Sequence, residues 1–204
     1  MKHILYILLF TNILLADAFS INKNDIQRIK NLYNKTQTIN RIYNFKMFFE
    51  KAVDFNEIKK LNRVNYYINR IIGKSDETNE WITPKEFLIR GRGDCEDYCL
   101  TKYFALKKLN MDINRIYPSV VKVRGSKGYH MVLLYKKDNN FLVLDNLSWK
   151  MLPLEKRTNL EFYYAFNEKG SYIMKNNKLI KEKGIRRGEV KCFNKMINDI
   201  KEGN

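Results

Sequence analysis

The sequence predicts an α+β fold in which helices come first and strands follow. Apolar residues recur at spacings of three and four through residues 26–33 and 42–72, which is the period of amphipathic helices. Three short apolar segments at 119–123, 129–135 and 141–147 are separated by polar turns, as in an antiparallel meander. Since strand and helix signals do not alternate, a parallel sheet is not expected.

The first 18 residues have the pattern of a secretory signal peptide. Lys2 precedes an apolar run over residues 4–15, and Ala16-Asp17-Ala18 predicts cleavage after Ala18. A run of about a dozen apolar residues is short for a membrane span, which needs roughly 20. We therefore expect one soluble, exported domain from residue 19 to 204. The alternative is an uncleaved membrane anchor, which also places the domain outside the cytoplasm.

The chain is strongly basic, with 38 Lys and Arg against 22 Asp and Glu, a formal charge of +16. Such a surface attracts anions. However, Lys, Asn and Ile are abundant throughout the chain, and basic residues are interspersed with acidic ones. Compositional bias therefore explains the charge better than selection does. No nucleic-acid-binding motif accompanies it, so we expect no nucleic-acid partner.

Two further helix starts follow the first helices. Thr83-Pro84 predicts an N-cap and first helical residue, with that helix ending near Ile89. After the glycine-containing segment 91–93, Asp94 can cap a helix that continues to about residue 109. Cys95 is then its first residue, where backbone N–H groups favour an anion.

Towards the C-terminus, a further strand is predicted at 163–166 and a hairpin near 171–180. A last amphipathic helix contains Phe193, Met196, Ile197 and Ile200.

The mature chain has three cysteines, Cys95, Cys99 and Cys192, so at least one is expected to be free. Cys95 and Cys99 lie one helical turn apart, a spacing ill suited to a disulfide. The acidic residues around Cys95 raise a question, since neighbouring carboxylates disfavour a thiolate.

His130 is the only histidine of the predicted mature chain, and Asp145 interrupts the apolar segment "FLVLDNL". A buried carboxylate needs a partner. A two-residue turn at 138–139 makes the two side chains diagonal neighbours on one face, and a four-residue turn places them directly opposite. A three-residue turn without a bulge separates them.

Cys95, His130 and Asp145 together form a candidate nucleophile, base and orienting acid. Each has a simpler explanation when taken alone: a buried helical Cys, a structural His, an Asp that starts a turn. In combination, with the Cys at a helix start that follows glycine, they favour nucleophilic catalysis.

The segments "NEWITPKEFLIRGRGDCEDYCLTKYFALKKLNM" and "KGYHMVLLYKKDNNFLVLDNLSWKMLP" resemble the bacterial transglutaminase-like cysteine proteinases. The resemblance extends over residues 61–173 and includes Asn65 and Asn69. It implies a papain-like or transglutaminase-like fold, with the nucleophile at a helix start packed on an antiparallel sheet. It also implies that Cys95 is the nucleophile, His130 the base and Asp145 the orienting carboxylate.

Members of this family cut a large surface adhesin near its N-terminus, at paired alanines, and thereby release a biofilm cell. The resemblance implies a Ca²⁺ requirement, with ligands among Asp94, Glu96 and Asp97. It further implies a periplasmic location in a Gram-negative bacterium and an inner-membrane receptor for cyclic-di-GMP that sequesters the protease.

The chain departs from the family pattern at two points. Cys99 stands where the family usually has Ala, and we interpret it as a buried substitute rather than a redox or metal residue. Glu80-Trp81-Ile82 replaces an aromatic pair and Ala, so this region could alter substrate or receptor contact.

Two other functions stay open. The same site could transfer the acyl group to an amine, as in a transglutaminase or amidase, because one fold supports both reactions. The second open function is that of a non-enzymatic binding protein. It would bind zinc through the three cysteines and His130, or nucleic acid through its basic surface. The cysteine spacing lacks paired zinc ligands, which disfavours the zinc site.

Overall fold

The computed structural model describes residues 17–73, 80–182 and 188–203. Within these ranges the helices are α1 (Lys23–Lys30), α2 (Lys35–Ala52), α3 (Glu57–Asn69), α4 (Pro84–Arg90), α5 (Cys95–Lys108) and α6 (Gly188–Glu202). The strands are β1 (Ile116–Val123), β2 (Tyr129–Lys137), β3 (Asn140–Asp145), β4 (Ser148–Pro153), β5 (Leu160–Asn167), β6 (Gly170–Lys175) and β7 (Lys178–Glu182). Single 3-10 turns lie at Ile113–Arg115 and Leu154–Lys156. The predicted α+β class is confirmed.

The helical region predicted over residues 42–72 contains two helices. α2 ends at Ala52, and Asn56 caps the start of α3 by accepting a hydrogen bond from the Lys59 N–H at 2.9 Å. Asn is a favoured N-cap because its side-chain oxygen satisfies an otherwise unpaired backbone donor. The helical type was therefore predicted correctly, and the structure locates the break between the two helices.

The two capped helix starts are confirmed. Thr83 accepts from the backbone of α4 at Glu86, with Pro84 as the first helical residue. α5 begins at Cys95 with Asp94 as N-cap. Local capping chemistry therefore places the cysteine at a helix N-terminus before any tertiary contact is considered.

All strands form one antiparallel sheet in the order β4-β3-β2-β1-β5-β6-β7. α5 packs against β1 and β2, while α3 packs against α5, β3 and β4. The edge strand β4 was not predicted. Its pairing with β3 shifts register between Val143 and Asp145, and "SWKMLP" does not alternate strictly. A β-bulge of this kind is specified by the neighbouring strand rather than by local sequence.

The β2–β3 hairpin has the two-residue turn at 138–139. Lys137 pairs with Asn140, and Asp138 takes a φ of 52°, which a short polar side chain tolerates. In this register His130 and Asp145 are diagonal neighbours on the same face, since Asp145 lies across from Val132.

β2 is buried on both faces, as its sequence predicted. Met131, Leu133 and Tyr135 join the main core, which also contains the helices. Val132 and Leu134 join a smaller cluster with β1, β3 and β5. The sheet is thus held in register by apolar burial on either side of its central strands.

The predicted signal peptide lies almost entirely outside the described residues, which begin at residue 17. At the predicted cleavage boundary, Ala18 and Phe19 pack against the main core. The Phe19 ring lies 5.2 Å from that of Phe45 and 5.3 Å from that of Phe49. No described helix is both long and apolar enough to span a bilayer.

Leu133→Ala should lower the free energy of unfolding by about 2–5 kcal/mol, because Leu133 has no exposed surface in the main core. The matched control, Leu147→Ala, removes a side chain that is 68% exposed and should change it by less than about 0.5 kcal/mol. Urea denaturation measures both, and equal losses would contradict the position of the core.

Candidate active site

Cys95 is half-buried at the first position of α5. The preceding Gly93 permits this arrangement, because a Cβ there would lie 2.6 Å from Asp97 Oδ2 and 2.8 Å from the Phe87 ring. Only a residue without a side chain lets the loop approach the helix so closely. The glycine before the nucleophile therefore has a steric role.

Asp97 braces the loop that carries Cys95. Its buried carboxylate accepts from the Ile82 N–H at 3.1 Å and from the Asp94 N–H at 2.9 Å. Burial raises the pKa of Asp97 to about 7, although these two hydrogen bonds lower it, and the charges of Glu96 and Asp94 raise it further. Both carboxylate oxygens of Asp97 are already engaged with backbone donors.

The Cys95 thiol hydrogen-bonds to the Glu96 carboxylate, with Sγ 3.4 Å from Oε2. Burial raises the pKa of the Cys95 thiol to about 12, and the Glu96 charge raises it as well, while a hydrogen bond with the Met131 backbone lowers it. The thiol is therefore protonated at neutral pH in this arrangement. The sequence led us to expect that neighbouring carboxylates would disfavour the thiolate, and Glu96 is the carboxylate that does so.

His130 and Asp145 form the pair predicted from the hairpin. His130 Nε2 lies 2.8 Å from Asp145 Oδ1, and both side chains are buried. This contact leaves Nδ1 as the imidazole nitrogen that can exchange a proton with a nucleophile. The Cys95 thiol also reaches the strand that carries His130, since it hydrogen-bonds with the backbone of Met131. Among the described side chains, however, the hydrogen-bond partner of this thiol is Glu96 and not His130.

Asp145 is completely buried and is nevertheless well satisfied. Arg157 Nη2 donates to Oδ2 at 2.7 Å, and the Leu147 N–H donates to Oδ1 at 2.9 Å. Burial alone would raise the pKa of Asp145, but the interactions with His130, Leu147 and Arg157 hold it far below its ordinary value. The carboxylate therefore stays ionised and fixes the imidazole.

Two asparagines of α3 hold the turn that follows Asp145. Asn69 Nδ2 donates to the Asp145 carbonyl at 2.8 Å and to that of Ser148 at 3.1 Å. Asn65 Nδ2 donates to the Ser148 carbonyl at 3.0 Å. Both side chains are buried on the face of α3 that also carries Leu61, Val64 and Ile68, so this face of the helix holds the turn after Asp145. The sequence had drawn attention to these residues only through the family resemblance.

Arg157 is the site residue that sequence reasoning missed. It follows the 3-10 turn Leu154–Lys156 and is 8% exposed. It is one basic residue among 38 Lys and Arg, and nothing in its local pattern distinguishes it. The only available signal was indirect: a buried Asp145 needs more compensation than one neutral imidazole supplies.

Cys99 and Lys102 lie on the buried side of α5. Cys99 is 2% exposed, the placement expected of an Ala substitute, and Lys102 is 1% exposed. Burial lowers the pKa of Lys102 to about 7, against the opposing effects of Cys99 and Asp145. The exposed Cys192 lies on α6.

The three predicted calcium ligands differ in how accessible their carboxylate oxygens are. Asp94 and Glu96 are half-buried and have the hard carboxylate oxygens that Ca²⁺ prefers. Glu80, Asp94 and Asp97 line one small recess together with Arg90 and Arg92. Within the described ranges no three His, Cys, Asp or Glu side chains are grouped tightly enough to hold a metal ion. The oxygen donors of Asp94 and Glu96 are of the type that calcium prefers, but the described side chains do not converge on one point, and both oxygens of Asp97 are engaged by backbone N–H groups.

A cysteine at a helix start, packed against an antiparallel sheet that carries a His–Asp pair, defines the class of papain-like and transglutaminase-like cysteine enzymes. Residues 35–176 match the family model described as bacterial transglutaminase-like cysteine proteinase. Because the match extends over more than half of the chain, the protein belongs to this family, and it is a cysteine proteinase by that membership.

Solved structures of LapG from Legionella pneumophila share the fold. The EGTA-treated form has a TM-score of 0.72 and 22% identity, covering 85% of this chain and 94% of that one. The calcium-bound form has a TM-score of 0.69 and 23% identity, covering 85% and 98%. No curated protein sequence matches this chain significantly.

Glu96→Gln should lower the pKa of the Cys95 thiol in metal-free protein, because it removes the adjacent charge and leaves only a neutral amide oxygen to accept the thiol hydrogen bond. Iodoacetamide alkylation near pH 8 should become roughly tenfold faster, equivalent to about one pKa unit. The assay uses a Cys192→Ser background, since Cys192 is exposed. An unchanged rate would contradict the role assigned to Glu96.

Lys102→Met should stabilise the protein at pH 7 by roughly 2–4 kcal/mol. The folded-state pKa of about 7 is below the ordinary value, so the native state binds fewer protons than the unfolded chain between these two values. Wild-type stability therefore rises with pH in that window, and the advantage of the variant should shrink towards pH 10. Urea denaturation at pH 6, 8 and 10 measures this, with the exposed Lys178→Met as control. An advantage independent of pH would refute the shift.

Proposed function

We propose that this protein is a calcium-dependent periplasmic cysteine endopeptidase that cleaves a large surface adhesin in its N-terminal region, at paired alanines, and so controls biofilm attachment. The observation that carries the chemistry is the buried His130–Asp145–Arg157 contact beside the helix start that bears Cys95. Membership of the proteinase family supports peptide-bond hydrolysis.

In the proposed reaction, His130 Nδ1 takes the proton of the Cys95 thiol, and the sulfur attacks the carbonyl carbon of the scissile bond. The resulting imidazolium donates its proton to the amide nitrogen, which leaves as an amine. Water, deprotonated by His130, then hydrolyses the acyl-enzyme and releases the thiol. Asp145 holds the imidazole and stabilises its charged form throughout.

The oxyanion of each tetrahedral intermediate needs donors in fixed positions. The Cys95 backbone N–H is one such donor, because the first N–H groups of α5 have no helical partner. The partial positive charge of the α5 N-terminus acts in the same direction.

The proposed calcium site uses Asp94 and Glu96, with Asp97 as the third predicted ligand. A bound ion would supply positive charge that offsets the carboxylates beside the thiol. Once the Glu96 carboxylate no longer accepts from Cys95, the thiol is free to hydrogen-bond with His130. The structures of LapG described as calcium-bound and EGTA-treated support a calcium link in a protein of the same fold.

The proposed periplasmic location is supported by the predicted signal peptide and by the family resemblance. A signal peptide over residues 1–18 would direct the domain to the periplasm. There the substrate would be the adhesin, and an inner-membrane cyclic-di-GMP receptor would sequester the protease when that signal is high. Neither partner requires nucleic-acid binding.

Wild-type protein with calcium should cut an N-terminal adhesin fragment that contains paired alanines, and it should not cut it with EGTA. Cys95→Ala should be inactive in both conditions, because it lacks the nucleophile. N-terminal sequencing of the products identifies the cut.

An amine probe in the same reaction separates hydrolysis from acyl transfer, since amine incorporation without new termini would favour a transglutaminase. Cleavage by the Cys95→Ala variant would overturn the nucleophile assignment. Full activity in EGTA would overturn the metal assignment.

A further inference from the structure

A groove of about 770 Å³ lies between α2 and α3, on a part of the surface that the catalytic trio does not line. We call it the basic groove. Its residues are Gln37, Asn40, Arg41, Asn44, Phe45, Met47, Phe48, Lys51, Phe55, Arg63, Tyr67, Arg70, Ile71, Ile72, Gly73 and Gly91. The α2 residues recur every three or four positions, so a single face of that helix forms one wall.

The groove has an aromatic floor. Phe48 of α2 stacks on Tyr67 of α3, with ring centroids 4.4 Å apart and an interplanar angle of 27°. Both rings line the groove, and Phe48 is buried while Tyr67 is half-buried, so the stacked pair lies on its inner side. Packed aromatic rings make this floor rigid.

Among the residues that the structure describes, the groove walls carry four cations and no acidic side chain. Arg41, Lys51, Arg63 and Arg70 all line the groove. Arg41 is committed to the fold, since its guanidinium donates to the carbonyls of Leu88 and Ile89. The other three are exposed at the rim. A concave surface with charges of one sign concentrates ligands of the opposite sign.

One end of the groove adjoins the catalytic loop. Gly73 bridges to Arg92, three residues before Cys95, and the Ile71 carbonyl accepts from the Tyr98 hydroxyl of α5. A Cβ on Gly73 would lie 2.4 Å from the Gly91 carbonyl oxygen, so the two backbones touch. A chain that leaves the groove at this end arrives at the loop that positions the nucleophile.

We propose that the basic groove is an exosite that binds an extended, acidic segment of the protein substrate, adjacent to the segment that is cut. This inference rests on the proposed endopeptidase function. From position 37 to position 51 the α2 wall is roughly 21 Å long. About six extended residues span that length.

The groove chemistry matches such a segment. Arg63 and Arg70 can form charge-assisted hydrogen bonds with carboxylates. The amide side chains of Gln37, Asn40 and Asn44 both donate and accept, as an extended peptide backbone requires. Apolar side chains of the segment can pack on the aromatic floor.

The test measures binding by fluorescence anisotropy, using full-length Cys95→Ala protein so that no probe is cut. Fluorescein-labelled hexaglutamate should bind, hexaglutamine should not, and 300 mM NaCl should weaken the binding relative to 50 mM. Arg63→Gln/Arg70→Gln should weaken it about five- to tenfold. Lys175→Gln/Lys178→Gln removes the same charge from the turn between β6 and β7, at the other edge of the sheet, and should have little effect.

Equal weakening by both double variants would show only a non-specific charge effect and would overturn the proposal. So would equal binding of the two peptides, or binding of inorganic triphosphate in place of hexaglutamate. Circular dichroism confirms that each variant is folded. Binding is measured without cleavage, so a failure of hexaglutamate to bind would not contradict the proposed endopeptidase function. Likewise, a failure to cleave the adhesin fragment would not change the binding result.

Discussion

The site depends on the compensation of one buried charge. Asp145 has no exposed surface, and an isolated carboxylate there would be strongly unfavourable. Arg157, His130 and the Leu147 N–H satisfy its oxygens, while Asn69 holds its backbone carbonyl. His130 lies on β2 and Asn69 on α3, whereas Leu147 lies between β3 and β4 and Arg157 lies between β4 and β5. Burying the carboxylate therefore links distant parts of the chain, and the same contacts fix the imidazole that the chemistry requires.

The nucleophile is governed by opposing electrostatic effects. The start of α5 and the Met131 backbone favour the thiolate, whereas burial and Glu96 favour the thiol, and the second pair prevails. Under the proposed function, a bound calcium ion would offset the acidic charge beside Cys95 and so favour its thiolate. The basic groove contributes a separate electrostatic element, since its cations lie on α2 and α3, away from the carboxylates of the catalytic loop. Under the proposed exosite, the basic groove would hold an acidic segment of the substrate while the site around Cys95 cuts a neighbouring one.

Much of the site was accessible from sequence because its determinants are local. Capping residues and a glycine position Cys95, and turn length fixes the face shared by His130 and Asp145. The break between α2 and α3, the edge strand β4 and Arg157 were not accessible. The break interrupts a continuous apolar periodicity although Asn56 caps α3 locally, β4 pairs with β3 through a register shift, and Arg157 is distinguished only by its contact with Asp145. The family resemblance pointed to Asn65 and Asn69, but only the structure shows that their amides donate to backbone carbonyls of the turn after Asp145.

The sequence by itself determined the α+β class and the helix start at Cys95, and it restricted the pairing of His130 with Asp145 to particular turn lengths, because periodicity, capping and hairpin register act over a few residues. Tertiary structure alone decided how the charges are balanced. It selected one arginine to neutralise Asp145, directed Asp97 to the backbone of its own loop, and placed the Glu96 carboxylate on the thiol. Electrostatic energies depend on burial and on distances between groups, and these are defined only when the chain is folded.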